Sequence, residues 1–100
     1  MEVIFNKEAN KLTVQIIDRI DTPDAKGLES DVIGQITEEI KEVELDCKQL
    51  SYISSSGLRA FFGINKKIKS VNASLNVSNV NPMLMEIFDL TGFSTLLEMS

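Results

Sequence analysis

Histidine and tryptophan are absent from this 100-residue chain; cysteine and tyrosine occur once each and proline twice. Without histidine, the usual general base, the usual zinc ligand and the usual switch near neutral pH are all missing. A lone cysteine, Cys47, cannot close an internal disulfide. It stands among alternating apolar residues and reads as a small core side chain rather than a reactive thiol. No apolar run approaches the ~20 residues of a membrane-spanning helix. No signal-peptide pattern precedes the first apolar segment either, so the expected setting is the cytoplasm. Basic residues are few as well, 10 against 15 acidic, for a net charge of −5. A nucleic-acid partner needs a dense cationic face to displace counterions. The one basic run, Lys66, Lys67 and Lys69, reads instead as the solvated back of a helix. Direct binding to nucleic acid is not expected.

What is present belongs to an ordinary folded domain. Hydrophobic residues make up 43% of the chain and charged residues 25%, which argues against disorder. One hundred residues suffice for one core and one domain, residues 1–100.

The hydrophobic pattern alternates between strand and helix periods. Val3-Ile4-Phe5 and Leu12–Ile17 read as two strands joined by the polar segment Lys7 to Asn10. Leu12, Val14 and Ile16 share one face. A helix is predicted over residues 23–40, with Thr22 as cap, Pro23 at its start and Ala25, Leu28, Val32, Ile36 and Ile40 along one stripe. Val43–Cys47 is a third strand, and a second helix over 56–70 buries Leu58, Phe61, Ile64 and Ile68. That helix leaves Arg59, Asn65, Lys66 and Lys69 to solvent. Ser74–Val77 is a fourth strand, a third helix starts at Asn81-Pro82 and stops at Gly92, and Leu96–Met99 forms a short strand or helix tail. The fold class is α/β: a mixed four- to five-stranded sheet with crossover helices packed against it. The turns at Asp21 and at Ser54–Gly57 then both lie at the carboxyl edge, where partners and ligands of such sheets gather.

Ser54-Ser55-Ser56-Gly57 is the most telling turn, because it sets three hydroxyls at a helix start beside free backbone amides. A phosphate, bound or covalently attached, suits that place. Ser54 as a simple helix cap accounts for one hydroxyl but not for three. A serine nucleophile would need a base, and neither a histidine triad, a nucleophile elbow, a P-loop nor a serine–lysine spacing is present. Catalysis is not expected, and neither is a cofactor or a metal. A small hydrolase using Ser55 remains the enzymatic alternative, with no turnover expected.

The segment Leu45-Asp46-Cys47-Lys48-Gln49-Leu50-Ser51-Tyr52-Ile53-Ser54-Ser55-Ser56-Gly57-Leu58-Arg59 resembles the central motif of the STAS domain, the fold of bacterial anti-sigma factor antagonists. Asn79-Val80-Asn81-Pro82 and Phe88-Asp89-Leu90-Thr91-Gly92-Phe93 are similar to its downstream segment, and Ile20-Asp21 to its acidic turn. The resemblance spans essentially the whole chain. It implies a STAS-like fold and a protein without activity of its own. The unphosphorylated form would bind an anti-sigma factor that is also a serine kinase and so release the sigma factor. Phosphorylation of Ser55, or of the adjacent Ser56, would end that binding, and a serine phosphatase would restore it. Asp21, Ser54, Ser56, Gly57 and Leu58 are the implied partner-binding residues, and the domain is expected to be monomeric. Two departures stand out: Ser54 replaces a common aspartate, and Asp18 a common glycine. A second reading is an unphosphorylated adaptor, a STAS subunit of a lipid-transport ATPase or of a sensory complex.

Overall fold

The computed structural model describes residues 1–92 and 98–99. Its elements are β1 (Glu2–Glu8), β2 (Lys11–Ile20), α1 (Thr22–Gln35), β3 (Glu42–Asp46), β4 (Leu50–Ile53), α2 (Ser55–Ser70), β5 (Ser74–Ser78), α3 (Pro82–Thr91) and β6 (Glu98–Met99). Leu96 and Leu97 of the expected tail lie outside the described residues, while Glu98 and Met99 form the short strand.

Five strands lie in the order β1-β2-β3-β5-β6. β1 and β2 form an antiparallel hairpin, and β2–β3, β3–β5 and β5–β6 are parallel pairs. β4 continues the line of β3, pairing in parallel with the far end of β2. The mixed α/β sheet expected from the pattern is therefore the one observed. α1 and α2 pack side by side, and α2 also lies against β4 and β5. Leu12, Val14 and Ile16 of β2 are fully buried, as are Leu28 and Val32 of α1 and Phe61, Ile64 and Ile68 of α2. Phe61 meets Phe88 of α3 with ring centroids 6.1 Å apart, joining the third helix to this core.

Four local details depart from the sequence pattern. α1 ends at Gln35 rather than at 40; Ile36 turns to extended backbone, and a short turn tucks Ile36 and Ile40 into the core. A spacing of four apolar residues suits such a turn as well as a helix, which explains the overextension. Asp21, not Thr22, takes the N-cap position, and Asp24 Oδ2 accepts a 3.0 Å hydrogen bond from the Asp21 amide. Asn65 is only 8% exposed rather than solvated. The fourth departure is β4 itself, whose end residues are buried and middle residues exposed, so that no alternation marks it.

β4 exists because β2 changes partner at Asp18. The register shifts between Asp18 and Arg19, and Asp18 adopts a left-handed φ of 76°. Its amide donates to the Gln49 carbonyl at 2.9 Å, and the Ser51 hydroxyl donates to its carbonyl at 3.0 Å. The left-handed region costs an ordinary residue about 1–2 kcal/mol, with aspartate among the better tolerated. Asp18→Ala is therefore expected to lose about 1 kcal/mol, while Asp18→Gly should match or exceed the native stability in urea unfolding.

Away from the edge, Glu44 receives the Ser78 hydroxyl at 2.6 Å and Lys11 Nζ at 3.1 Å. The serine bond and then the lysine hold its carboxyl below the ordinary range, against a smaller opposing effect of burial. A depressed folded-state pKa contributes stability that is present above the unfolded value and lost as pH falls through the folded one. Glu44→Gln should accordingly flatten the acid side of the stability–pH curve, measured by urea unfolding between neutral and strongly acidic pH.

Candidate functional site

β2 and β4 end level with one another, since Ile20 pairs with Ile53. The residues that follow, Asp21 and Ser54, start α1 and α2, and the Ser54 amide donates to the Ile20 carbonyl at 2.9 Å. The two polar turns are thus neighbours at the carboxyl edge, as the sequence reading anticipated.

The three serines divide their roles by burial. Ser54 is 7% exposed and its hydroxyl accepts from the Gly57 amide at 3.1 Å, the standard cap that offsets an unpaired helix N–H. Ser55 is the first residue of α2 and is exposed, and Ser56 is half-buried. Neither hydroxyl has a hydrogen-bond partner among the described residues. Their amides belong to the first turn and have no intrahelical acceptor.

Gly57 and Leu58 are buried. A Cβ built on Gly57 would stand 2.6 Å from Ile53 Cγ1 and 2.9 Å from Ile20 Cγ2. The glycine thus lets the first turn of α2 rest directly on the ends of both strands. Leu58 is 8% exposed and belongs to the same core. Of the residues expected to meet a partner, Asp21, Ser55 and Ser56 reach the surface, whereas Ser54, Gly57 and Leu58 shape it from beneath.

Two residues that the sequence reading passed over complete the edge. Arg19 clasps the Asp21 carboxylate with Nη2 at 3.0 Å and Nε at 3.3 Å. Its guanidinium lies 4.4 Å from the centre of the Tyr52 ring, its pairing neighbour on β4. The Asp21 hydrogen bond, then its charge, raises the Arg19 pKa still further. The signal was present: residues two apart on a strand share a face, so Arg19 and Asp21 were placed to meet. Cys47, just after β3, is fully buried, its thiol pushed up to about 12 by burial, which fits a core side chain.

The edge thus carries exposed hydroxyls, a carboxylate paired with a guanidinium, and that guanidinium stacked on an aromatic ring. The chain is a member of the STAS domain family, whose model matches residues 2–100. It is 28% identical over 100 residues to the anti-sigma-B factor antagonist of Bacillus subtilis, covering 100% of this chain and 91% of that protein. It is 27% identical over 96 residues to BtrV of Bordetella bronchiseptica, provisionally named an anti-sigma factor antagonist, covering 96% of this chain and 83% of that one. The fold matches the anti-sigma factor antagonist SpoIIAA in its unphosphorylated form, with a TM-score of 0.78 at 13% identity over 99% of this chain and 87% of that chain. It also matches the phosphorylated form, with a TM-score of 0.75 at 14% identity over 99% and 91%. Both curated relatives are named for antagonism of another protein and not for a reaction.

Proposed function

We propose that this domain is a cytoplasmic, monomeric anti-sigma factor antagonist, switched by phosphorylation of Ser55. The observation that carries the proposal is the division of labour among the serines. Ser54 is buried and committed to its cap, while Ser55 presents an unengaged hydroxyl one residue later. In the unphosphorylated form the edge around Ser55, Ser56 and Asp21 docks on an anti-sigma factor that is also a serine kinase, freeing the sigma factor. Within that complex the Ser55 hydroxyl takes the terminal phosphoryl group of a nucleoside triphosphate held by the kinase. The bond between the terminal phosphorus and its bridging oxygen breaks, the nucleoside diphosphate leaves, and the hydroxyl proton passes to a base of the kinase. A separate phosphatase hydrolyses the ester and resets the domain.

Two relatives support the antagonist role by name, and SpoIIAA retains this fold when phosphorylated. Physics supports the site. A phosphate brings about −1.5 to −2 charges, and at a helix N-terminus such charge is tolerated, so the domain stays folded. The test is phosphosite mapping by mass spectrometry on the protein isolated from its native cells. Phosphate on Ser55 is the expected result, and phosphate on Ser56 alone would move the switch by one residue. No phosphate under either growth or stress would overturn the switch in favour of the constitutive adaptor.

A further inference from the structure

Arg59 lies four residues beyond Ser55 and three beyond Ser56, and both it and Ser55 are exposed. Residues at these spacings on a helix are surface neighbours, with Cβ atoms about 5–6 Å apart. Helical side chains lean toward the N-terminus, so Arg59 covers the turn that carries the serines. A solvated arginine on a helix is commonplace, and a carboxylate one turn away is the partner that would stabilise it there. Here the residues three and four positions to either side are Ser55, Ser56, Phe62 and Gly63, all uncharged; from the packed helix α1 the Glu29 carboxylate lies against Gly63, on the far side from the serines, and makes no ion pair with Arg59. The first turn of α2 holds no acidic residue, unlike α1, which has Asp24. Among the described residues the Arg59 side chain has no hydrogen bond or ion pair. Arg19, the other cation of the two turns, is by contrast committed to Asp21 and Tyr52. In a chain of net charge −5, an unengaged guanidinium placed one turn from the candidate phosphoserine is a selective feature.

We propose that Arg59 is an internal clamp for the phosphate esterified to Ser55, its guanidinium donating to the phosphate oxygens one turn back along α2. The proposal rests on the phosphorylation reading above and adds the device that holds the modified state. Charge-assisted bonds of guanidinium to phosphate are among the stronger hydrogen bonds and often two-pronged. The clamp draws the dianion along the helix and stabilises the folded, phosphorylated domain.

The test installs phosphoserine at position 55 by chemical semisynthesis, so that it does not depend on any kinase. Phosphorus NMR then follows the second ionisation of the phosphate, ordinarily near ~6. The charged residues of the two turns are Arg19, Asp21, Asp24 and Arg59, and the variants separate the cations among them. The expected result is a second pKa lower in the native sequence than in Arg59→Ala by about half a unit or more, partly kept by Arg59→Lys and kept when the Arg19–Asp21 pair is removed together by Arg19→Ala with Asp21→Asn, which leaves no bare carboxylate behind. Phosphorylation should raise the melting temperature of the native sequence more than that of Arg59→Ala, while the unphosphorylated forms melt together. An unchanged pKa in Arg59→Ala, or a shift abolished by the paired Arg19→Ala and Asp21→Asn change instead, overturns the clamp. Those outcomes leave the cellular phosphosite untouched, and an unphosphorylated cellular protein leaves them untouched in turn.

Discussion

Gly57→Ala is expected to lose about 1–3 kcal/mol of folding stability, a large part of what a domain of this size holds. The added methyl would stand 2.6 Å from Ile53 Cγ1 and 2.9 Å from Ile20 Cγ2, closer than packed carbons approach. Neither neighbour can yield easily, because Ile20 is fully buried and Ile53 is 3% exposed. The helix must instead lift from the strand ends. That motion pulls on the Ser54 cap and on the Ser54–Ile20 hydrogen bond, which together hold the two turns side by side. Helix propensity runs the other way, since alanine in a helix gains up to ~1 kcal/mol over glycine. A measured gain or a null effect would therefore mean that α2 rides higher on the sheet than the geometry described. Urea unfolding at neutral pH decides the matter, with Ser55→Ala, an exposed change expected within about 0.5 kcal/mol of native, as the control.

The motif glycine is thus a packing residue, and this bears on how much of the site the sequence alone could disclose. The serine turn, its place at a helix start and its nearness to Asp21 were legible, because strand and helix periods are strong and the parallel topology puts both turns at one edge. The partition of the serines into a buried cap and an exposed hydroxyl was not, since burial depends on the tilt of α2 over Ile20 and Ile53. Nor was β4 legible. Its four residues arise from a switch of partner along β2, and the bulge at Asp18 that makes the switch has no hydrophobic signature. The left-handed φ of 76° at Asp18 is one that glycine adopts freely and aspartate tolerates. The apolar spacing overstates the length of α1 because buried Ile36 and Ile40 continue a helical period through a turn that is not helical. The spacing that joins Arg19 to Asp21 is visible in the sequence, but its stacking on Tyr52 is not, because that contact needs the β2–β4 pairing.

Ser55→Asp should fold normally yet bind the cognate anti-sigma kinase at least tenfold more weakly, a loss of about 1.4 kcal/mol. Ser55→Ala should bind like the native domain and resist inactivation by ATP in the same complex. The source of the loss follows from the edge. Asp21 is held bidentately by Arg19, so the neighbouring turn carries little net charge toward position 55. Repulsion by Asp21 is therefore a minor contribution, and the main effect is the desolvation of a new carboxylate against a surface shaped for a hydroxyl. A carboxylate brings one charge where a phosphate brings about −1.5 to −2, so the substitution understates the native switch. Arg59, one turn away, would partly neutralise either anion and so would also temper the effect of Ser55→Asp. The combination Ser55→Asp with Arg59→Ala should consequently bind more weakly than Ser55→Asp alone, while Arg59→Ala alone stays close to native. Titration calorimetry with the purified kinase measures the four variants against the native domain. Equal affinities for Ser55→Ala and Ser55→Asp would sink the switch, and a double variant no weaker than Ser55→Asp would separate Arg59 from it.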